Sequence, residues 1–365
     1  MLPASRQAVL SLIPCKLSTI QIQEKNLIWR CFIIHTLQHI KDMKKINWGI
    51  IGCGDVTEVK SGPAFNKVAD SSLVAVMRRN SEKAADYAKR HNVPRWYDDA
   101  TKLINDPEVN AIYIATPPSS HQEYTLAAIK AGKSVYVEKP MATSYIAALN
   151  MAQAAANADV KLTVAHYRRQ WPLFKKLKQL LTEKSIGDIR LVRLQLYQQA
   201  PTALELAVEK NAWRVNPAIA GGGLFHDLAP HQLDILYHLF GRAQKITGIA
   251  TNQDGQYNAD NIVAGNILFD NGIAFSGAWC FAAAEASDHC EITGSTGTLY
   301  FSFFTGQTIV QQTNGTRTKF DFEVLPHVQQ PMIEKTVQYF LGNANNPCTG
   351  EEGAEIMRWM EKMVS

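Results

Sequence analysis

A doubly wound α/β domain followed by an α+β domain with a large, predominantly antiparallel open sheet is the fold class that this sequence predicts. Three observations carry it. Between residues 45 and 166, short apolar runs alternate with helical stretches, the pattern of βαβ units in a parallel sheet. The first of those runs ends in Gly52-Cys53-Gly54 and leads straight into a helix. Beyond residue 166 the pattern changes to the two-residue alternation of strands with one covered and one open face.

The elements follow in order. Strands are expected at 46–51, 73–77, 95–97, 110–116, 134–137 and 160–165. Helices are expected after Gly54 and at 81–90, 98–105, 119–131 and 143–156, with Ser81 as an N-cap and Gly132 as a C-cap. A helix around 171–183 opens the second part. Alternating runs at 189–199, 245–251, 261–269, 273–281, 288–293, 297–303 and 308–312 read as strands, with Asn271-Gly272 as a hairpin turn. Residues 224–240 are helical in spacing, and 330–341 and 351–364 close the chain as helices.

The chain of 365 residues carries 37 Lys plus Arg against 33 Asp plus Glu, with 46% hydrophobic residues, which excludes a disordered class. The bases are scattered, so nucleic acid is not an expected partner. No run of about 18 uncharged apolar residues appears, so a membrane span is not expected either. Residues 1–42 hold five bases (Arg6, Lys16, Lys25, Arg30, Lys41) against Glu24 and Asp42, which accounts for most of the net charge of +4. They show no clear period and are expected to be a disordered extension or an upstream misreading of a start at Met43. The expected division is therefore 1–42, 43–166 and 167–365. Six cysteines without a C-x-x-C pair or zinc-like spacing suit a reduced, cytoplasmic setting.

Gly52-x-Gly54 between a strand and a helix is the context of a dinucleotide site. The first glycine makes the tight turn and the second admits the pyrophosphate to the backbone and the helix N-terminus, with Cys53, Asp55 and Val56 completing the loop. Thr57 replaces the third, small residue and is expected to loosen the packing of helix on strand. An acid at the end of the second strand would bond the ribose hydroxyls of NAD. Arg78 and Arg79 stand there instead, ready for a 2′-phosphate, so NADP(H) is expected ahead of NAD(H).

Asp227, His231 and Asp234 share one face of the 224–240 helix, which is expected to set the Asp227 carboxylate beside the His231 imidazole. A third neutral ligand at helical spacing is missing, so no metal is expected.

Three further blocks join the glycine loop. They are Thr116-Pro117-Pro118-Ser119-Ser120-His121, then Glu138-Lys139-Pro140, and then Gly221-Gly222-Gly223 running through Asp227 and His231 to Asp234. Together they resemble the glucose–fructose oxidoreductase/inositol dehydrogenase/rhizopine catabolism (Gfo/Idh/MocA) family, over essentially residues 45–355. The resemblance implies a nicotinamide-dependent dehydrogenase or reductase acting on a sugar, polyol or related compound. It implies that Thr116, Pro117 and His121 lie near the cofactor and that Lys139, often before a cis-proline, polarises the substrate oxygen. It further implies that His231 is the general acid/base and that Asp227 orients or binds substrate. Lys139 is expected to have a lowered pKa, and Glu138 to orient it or the ribose.

Tyr167, Arg168, Arg169, Trp213 and Arg214 offer aromatic faces and donors that suit a sugar. The triple glycine is expected to let the backbone approach the ligand. The open face of the second sheet is expected to pair copies into a homodimer or homotetramer. A dinucleotide-binding regulator without chemistry, and an NAD-dependent but redox-neutral glycosidase-like relative, are the competing functions. The pair Lys139 and His231 argues against the first.

Overall fold

The computed structural model describes residues 44–208 and 212–365, so the expectation for residues 1–42 lies outside the described residues. Residues 45–365 form one unit built around two sheets.

The first sheet contains β1 (Ile46–Ile51), β2 (Ser71–Met77), β3 (Arg95–Tyr97), β4 (Ala111–Ile114), β5 (Ser134–Val137) and β6 (Leu162–Val164). All pairs are parallel and the order is β3-β2-β1-β4-β5-β6. The order of strand addition reverses between β1 and β4, which makes their carboxyl ends the expected ligand crevice. The connecting helices are α1 (Asp55–Val59), α2 (Gly62–Phe65), α3 (Ser81–Arg90), α4 (Ala100–Ile104), α5 (His121–Lys130) and α6 (Tyr145–Asn157). β4, β5 and β6 are buried throughout, as a sheet covered on both faces requires. One N-cap differs from expectation: Asn80, not Ser81, accepts from the Lys83 amide and starts α3. Asparagine sits one residue earlier, and its amide oxygen reaches the orphan N–H.

The second part holds α7 (Pro172–Thr182), β7 (Ile189–Tyr197), α8 (Ala203–Ala207), α9 (Pro217–Ala220) and α10 (Gly223–Phe240). Next come β8 (Ala243–Thr251), β9 (Ile262–Phe269), β10 (Ala274–Cys280), β11 (Ser287–Gly294), β12 (Gly297–Phe301), β13 (Thr308–Thr313) and β14 (Thr316–Asp321). The eight strands follow the order β14-β13-β12-β11-β7-β10-β9-β8, antiparallel except for the central β7–β10 pair. The Asn271-Gly272 turn joins β9 to β10, with Gly272 at φ +82°. β14 is the strand the sequence pattern missed. It is almost wholly exposed, so neither face imposes an apolar alternation.

Phe225 of α10 meets Trp279 of β10 edge-on at 5.1 Å, and the Trp279 indole donates to Gln232. Gly248 and Gly265, paired across β8 and β9, clear a path for Met363, and a Cβ on Gly265 would stand 2.7 Å from its sulfur. Met363 belongs to α12 (Gly350–Val364), the last helix. The preceding helix, α11 (Gln330–Phe340), returns to the first sheet, where Phe340 packs on Trp48 at 5.6 Å.

Candidate active site

Every block singled out in the first 170 residues lies at the carboxyl end of a parallel strand. Gly52 follows β1, Arg78 follows β2, Thr116 follows β4, Lys139 follows β5, and Tyr167 to Arg169 follow β6. Gly52 has φ +94°, and a Cβ there would press on Thr116 and on the Ala115 backbone at 2.7–2.9 Å. Only glycine fits this turn. Gly54 has extended backbone, and a Cβ there would meet no protein atom nearer than 3.9 Å. Its backbone therefore faces open space beside the crevice, the cradle a pyrophosphate requires, so these residues fit a dinucleotide. Thr57 corrects one expectation. It is fully buried, its hydroxyl donates to Gly54 O at 2.8 Å, and its carbonyl accepts from Tyr87, so the packing is tight rather than loosened.

Arg78 is half-buried, with Nη1 3.3 Å from Cys53 O, so it lies against the glycine loop; Arg79 is exposed. Cys53 is buried beneath the loop, and burial pushes its thiol up to about 11. Asp55 is exposed and Val56 half-buried at the start of α1.

His121 is fully buried rather than facing the cleft. Its Nε2 lies 2.7 Å from Thr116 O and its Nδ1 3.0 Å from Pro140 O, so the ring braces the Thr116-Pro117 loop against the loop after β5. Burial lowers its pKa against the pull of those two carbonyls and Glu138. Glu138 is also spent internally, accepting from the Tyr113 hydroxyl and Gln329 Nε2 and reaching only the backbone amide of Lys139. It fixes the strand end and makes no bond to the Lys139 ammonium. Gln329 was not legible as part of this cluster, because nothing local marks it.

The Lys139–Pro140 peptide is cis. Lys139 Nζ donates to both Asp227 Oδ1 and Asp227 O at 2.9 Å, and Arg214 Nε lies 3.3 Å from the other carboxylate oxygen. The ion pair is largely covered, with 12% of the Lys139 and 18% of the Asp227 side chain exposed. Burial drives the Lys139 pKa down, but Asp227, Tyr167 and Glu138 outweigh it and the net shift is upward. This corrects the expected lowering. Burial likewise drives Asp227 up, and Lys139 with Arg214 brings it below its usual value, so both groups are ionised.

The shared face of α10 is real, but its partners lie across the cleft rather than along the helix. Asp227 bonds Lys139 and not His231, because an ammonium and a guanidinium are the stronger partners for a carboxylate. His231 packs edge-on to Tyr167 at 5.2 Å and Phe304 at 5.8 Å, and its Nδ1 has no hydrogen-bond partner. Burial, with Lys139, Arg168, His166 and Lys60 behind it, holds its pKa well below the ordinary value. His231 is thus neutral, a form that can accept a proton. The third member, Asp234, is buried against Arg169 at 2.7 Å.

That contact corrects the reading of Arg169 as a substrate contact. Its side chain is 1% exposed, chelated by Asp234 and bonded to Glu352 and Pro347 O, so it ties β6 to α10 and α12. Arg168 is buried between Trp171 and Phe304, and Trp213 stacks under Arg214 at 4.7 Å. The triple glycine, expected to let the backbone approach the ligand, instead makes room for neighbouring protein groups. Gly222 makes room for the His226 ring, Gly221 for Thr143 and Gly223 for Ala259. Burial lowers His226 to about 4. Among the described residues no group of His, Cys, Asp and Glu could hold a metal.

Residues 46–166 match the family model of an oxidoreductase family with an NAD-binding Rossmann fold, and residues 174–300 match the GFO/IDH/MocA C-terminal domain. Oxidoreductase P35 of Formosa agariphila is 48% identical over 317 residues, covering 87% of this chain and 98% of that protein. A 1,5-anhydro-D-fructose reductase of Ensifer adhaerens is 28% identical over 254 residues, 69% of this chain and 74% of the relative. Levoglucosan dehydrogenase in complex with NADH and levoglucosan superposes with a TM-score of 0.80 at 20% identity, over 87% of this chain and 96% of its own. An aldose-aldose oxidoreductase from Caulobacter crescentus reaches 0.78 at 22% identity, over 87% and 96%.

Proposed function

Because the chain belongs to the Gfo/Idh/MocA oxidoreductase family, we propose that it moves a hydride between a nicotinamide cofactor and a secondary alcohol or carbonyl of a sugar or polyol. The observation that carries this reading is the Lys139–Asp227 ion pair at the end of β5 beside a neutral, unpartnered His231. The Gly52–Val56 loop, Arg78, Arg79 and the Thr116-Pro117 loop would hold the dinucleotide. When bound, it supplies or takes up the hydride. In the oxidative direction Lys139 Nζ, kept cationic by Asp227, donates a hydrogen bond to the substrate oxygen and steadies its developing negative charge. His231 takes the hydroxyl proton, and Asp227 with Arg214 fixes the position of Lys139. In reduction the proton returns by the same route. Tyr167, Arg168, Trp213 and Arg214 line the approach of the substrate.

The same reading assigns NADP(H) ahead of NAD(H). It is supported by the absence of any acid at the end of β2, where Asn80 is already spent capping α3. It assigns the open face of the second sheet, with Ile249 74% and Leu268 38% exposed, to contact with a second copy of the chain. A cytoplasmic setting suits four described cysteines that are all free; no described helix is long and apolar enough to cross a membrane. Sugars, inositols and dihydrodiols assayed at 340 nm with NAD+ and NADP+ in parallel test the activity. Turnover of a sugar or polyol with reduction of either nucleotide is expected. A silent panel, or a redox-neutral reaction with retained NAD, would refute it.

A further inference from the structure

We infer that the substrate carries a carboxylate, as a hexuronate does, and that Arg168 receives it. This rests on the oxidoreductase reading above and narrows its substrate class. Arg168 and Arg169 are neighbours in sequence and both are buried, yet they are treated oppositely. Asp234 and Glu352 neutralise Arg169, whereas Arg168 has no carboxylate in ion-pair range among the described residues. The carboxylate that exerts a field on it is Asp288, which is occupied by the amides of Phe303, Phe304 and Thr305. A buried guanidinium without a counter-charge is costly.

Stacking offsets part of that cost. The guanidinium carbon lies over the Trp171 ring at 4.2 Å and over the Phe304 ring at 4.6 Å, two cation–π contacts that hold the cation in place. Its edges remain. Nη1 donates to Phe303 O, while Nε is buried without a partner, so the edge formed by Nε and Nη2 meets no acceptor of the described residues. Two parallel N–H groups on one rigid edge are the complement of a planar carboxylate.

The position ties this edge to the reaction. Phe304 also touches the His231 ring, and Tyr167 lies against both His231 and Arg168. Arg168 thus stands one aromatic ring away from His231, a separation that a six-membered sugar can span between its reacting carbon and an acid group.

The test compares kcat/KM of the holoenzyme for D-glucuronate and D-galacturonate with that for D-glucose and D-galactose. The acids are expected to be favoured at least about tenfold. Arg168→Met should lower kcat/KM for the acids at least about tenfold more than for the neutral sugars. Arg168→Lys, which keeps the charge but loses the edge, should fall between the two. A wild type that prefers the neutral sugars, or variants that lose both classes by one factor, would overturn the inference while leaving the oxidoreductase reading intact. If no sugar is turned over, that reading fails separately, and binding decides this one. Glucuronate that raises the Tm of the wild-type holoprotein more than that of Arg168→Lys supports it; no rise, or an equal rise in both, overturns it.

Discussion

Lys139 Nζ stands 2.9 Å from both the carbonyl and Oδ1 of Asp227, which joins the end of β5 to α10 across the cleft. In the proposed reaction this contact holds a cation where the substrate oxygen would lie. Lys139→Ala is expected to lower kcat by about 10²–10⁴-fold, while fluorescence titration still shows NADP(H) binding. Full turnover in that variant would remove Lys139 from the mechanism.

The pH profile should report His231. Its pKa is depressed by burial and then by Lys139, Arg168, His166 and Lys60, so the neutral form persists well below the ordinary histidine value. Oxidation needs that neutral form, and activity is therefore lost only as pH falls through the depressed pKa. A kcat/KM plateau continuing below pH 6.5 in the oxidative direction is expected. A descending limb centred on 6.5 would contradict the burial argument.

Gly54 separates binding from folding. A Cβ at this position meets nothing within 3.9 Å, and its backbone is extended, so alanine is tolerated by the protein alone. Gly54→Ala should keep the apoprotein Tm within about 2 °C while weakening dinucleotide binding at least about tenfold. Calorimetry of both properties in one preparation checks it. Gly52→Ala should lower both, since φ +94° and the contacts with Thr116 leave no room.

Arg78 and Arg79 are expected to set cofactor choice. Replacing both by Ala should reduce the ratio of kcat/KM for NADP+ over NAD+ by at least about tenfold. An unchanged ratio would mean that the half-buried Arg78 serves only the Cys53 carbonyl.

Arg169 is expected to matter for stability. Arg169→Met leaves Asp234 buried without its cation and should cost about 3–5 kcal/mol in urea unfolding. Adding Asp234→Leu should recover much of it, because the orphaned charge is then gone. A double variant no more stable than the single one would show that the pair does more than satisfy its own charges.

The alternating pattern and the glycine loop made the first sheet readable because each strand is short, buried and bounded by its own turn signals. The candidate site residues Lys139, Asp227 and His231 were readable only through the motifs. Helical spacing placed Asp227 four residues from His231, yet the carboxylate chose Lys139, 88 residues away, because opposite charge outweighs proximity in sequence. Arg169 was misread for the same reason, its partners Asp234 and Glu352 lying 65 and 183 residues further on. Gln329 left no trace, since a single amide in an irregular stretch gains its role only from the groups folded around it.

The return of α11 to the first sheet governs the order in which this protein can be made. Trp48 is completely buried, and Phe340 supplies part of its cover. Tyr136 bonds Gln329, Lys161 bonds the carbonyls of Tyr339 and Phe340, and Val164 bonds Cys348 O. A nascent chain that has emerged only through residue 166 therefore has its six strands but an open apolar flank. That flank closes after the whole second sheet has been synthesised, so the half that emerges first completes its core last.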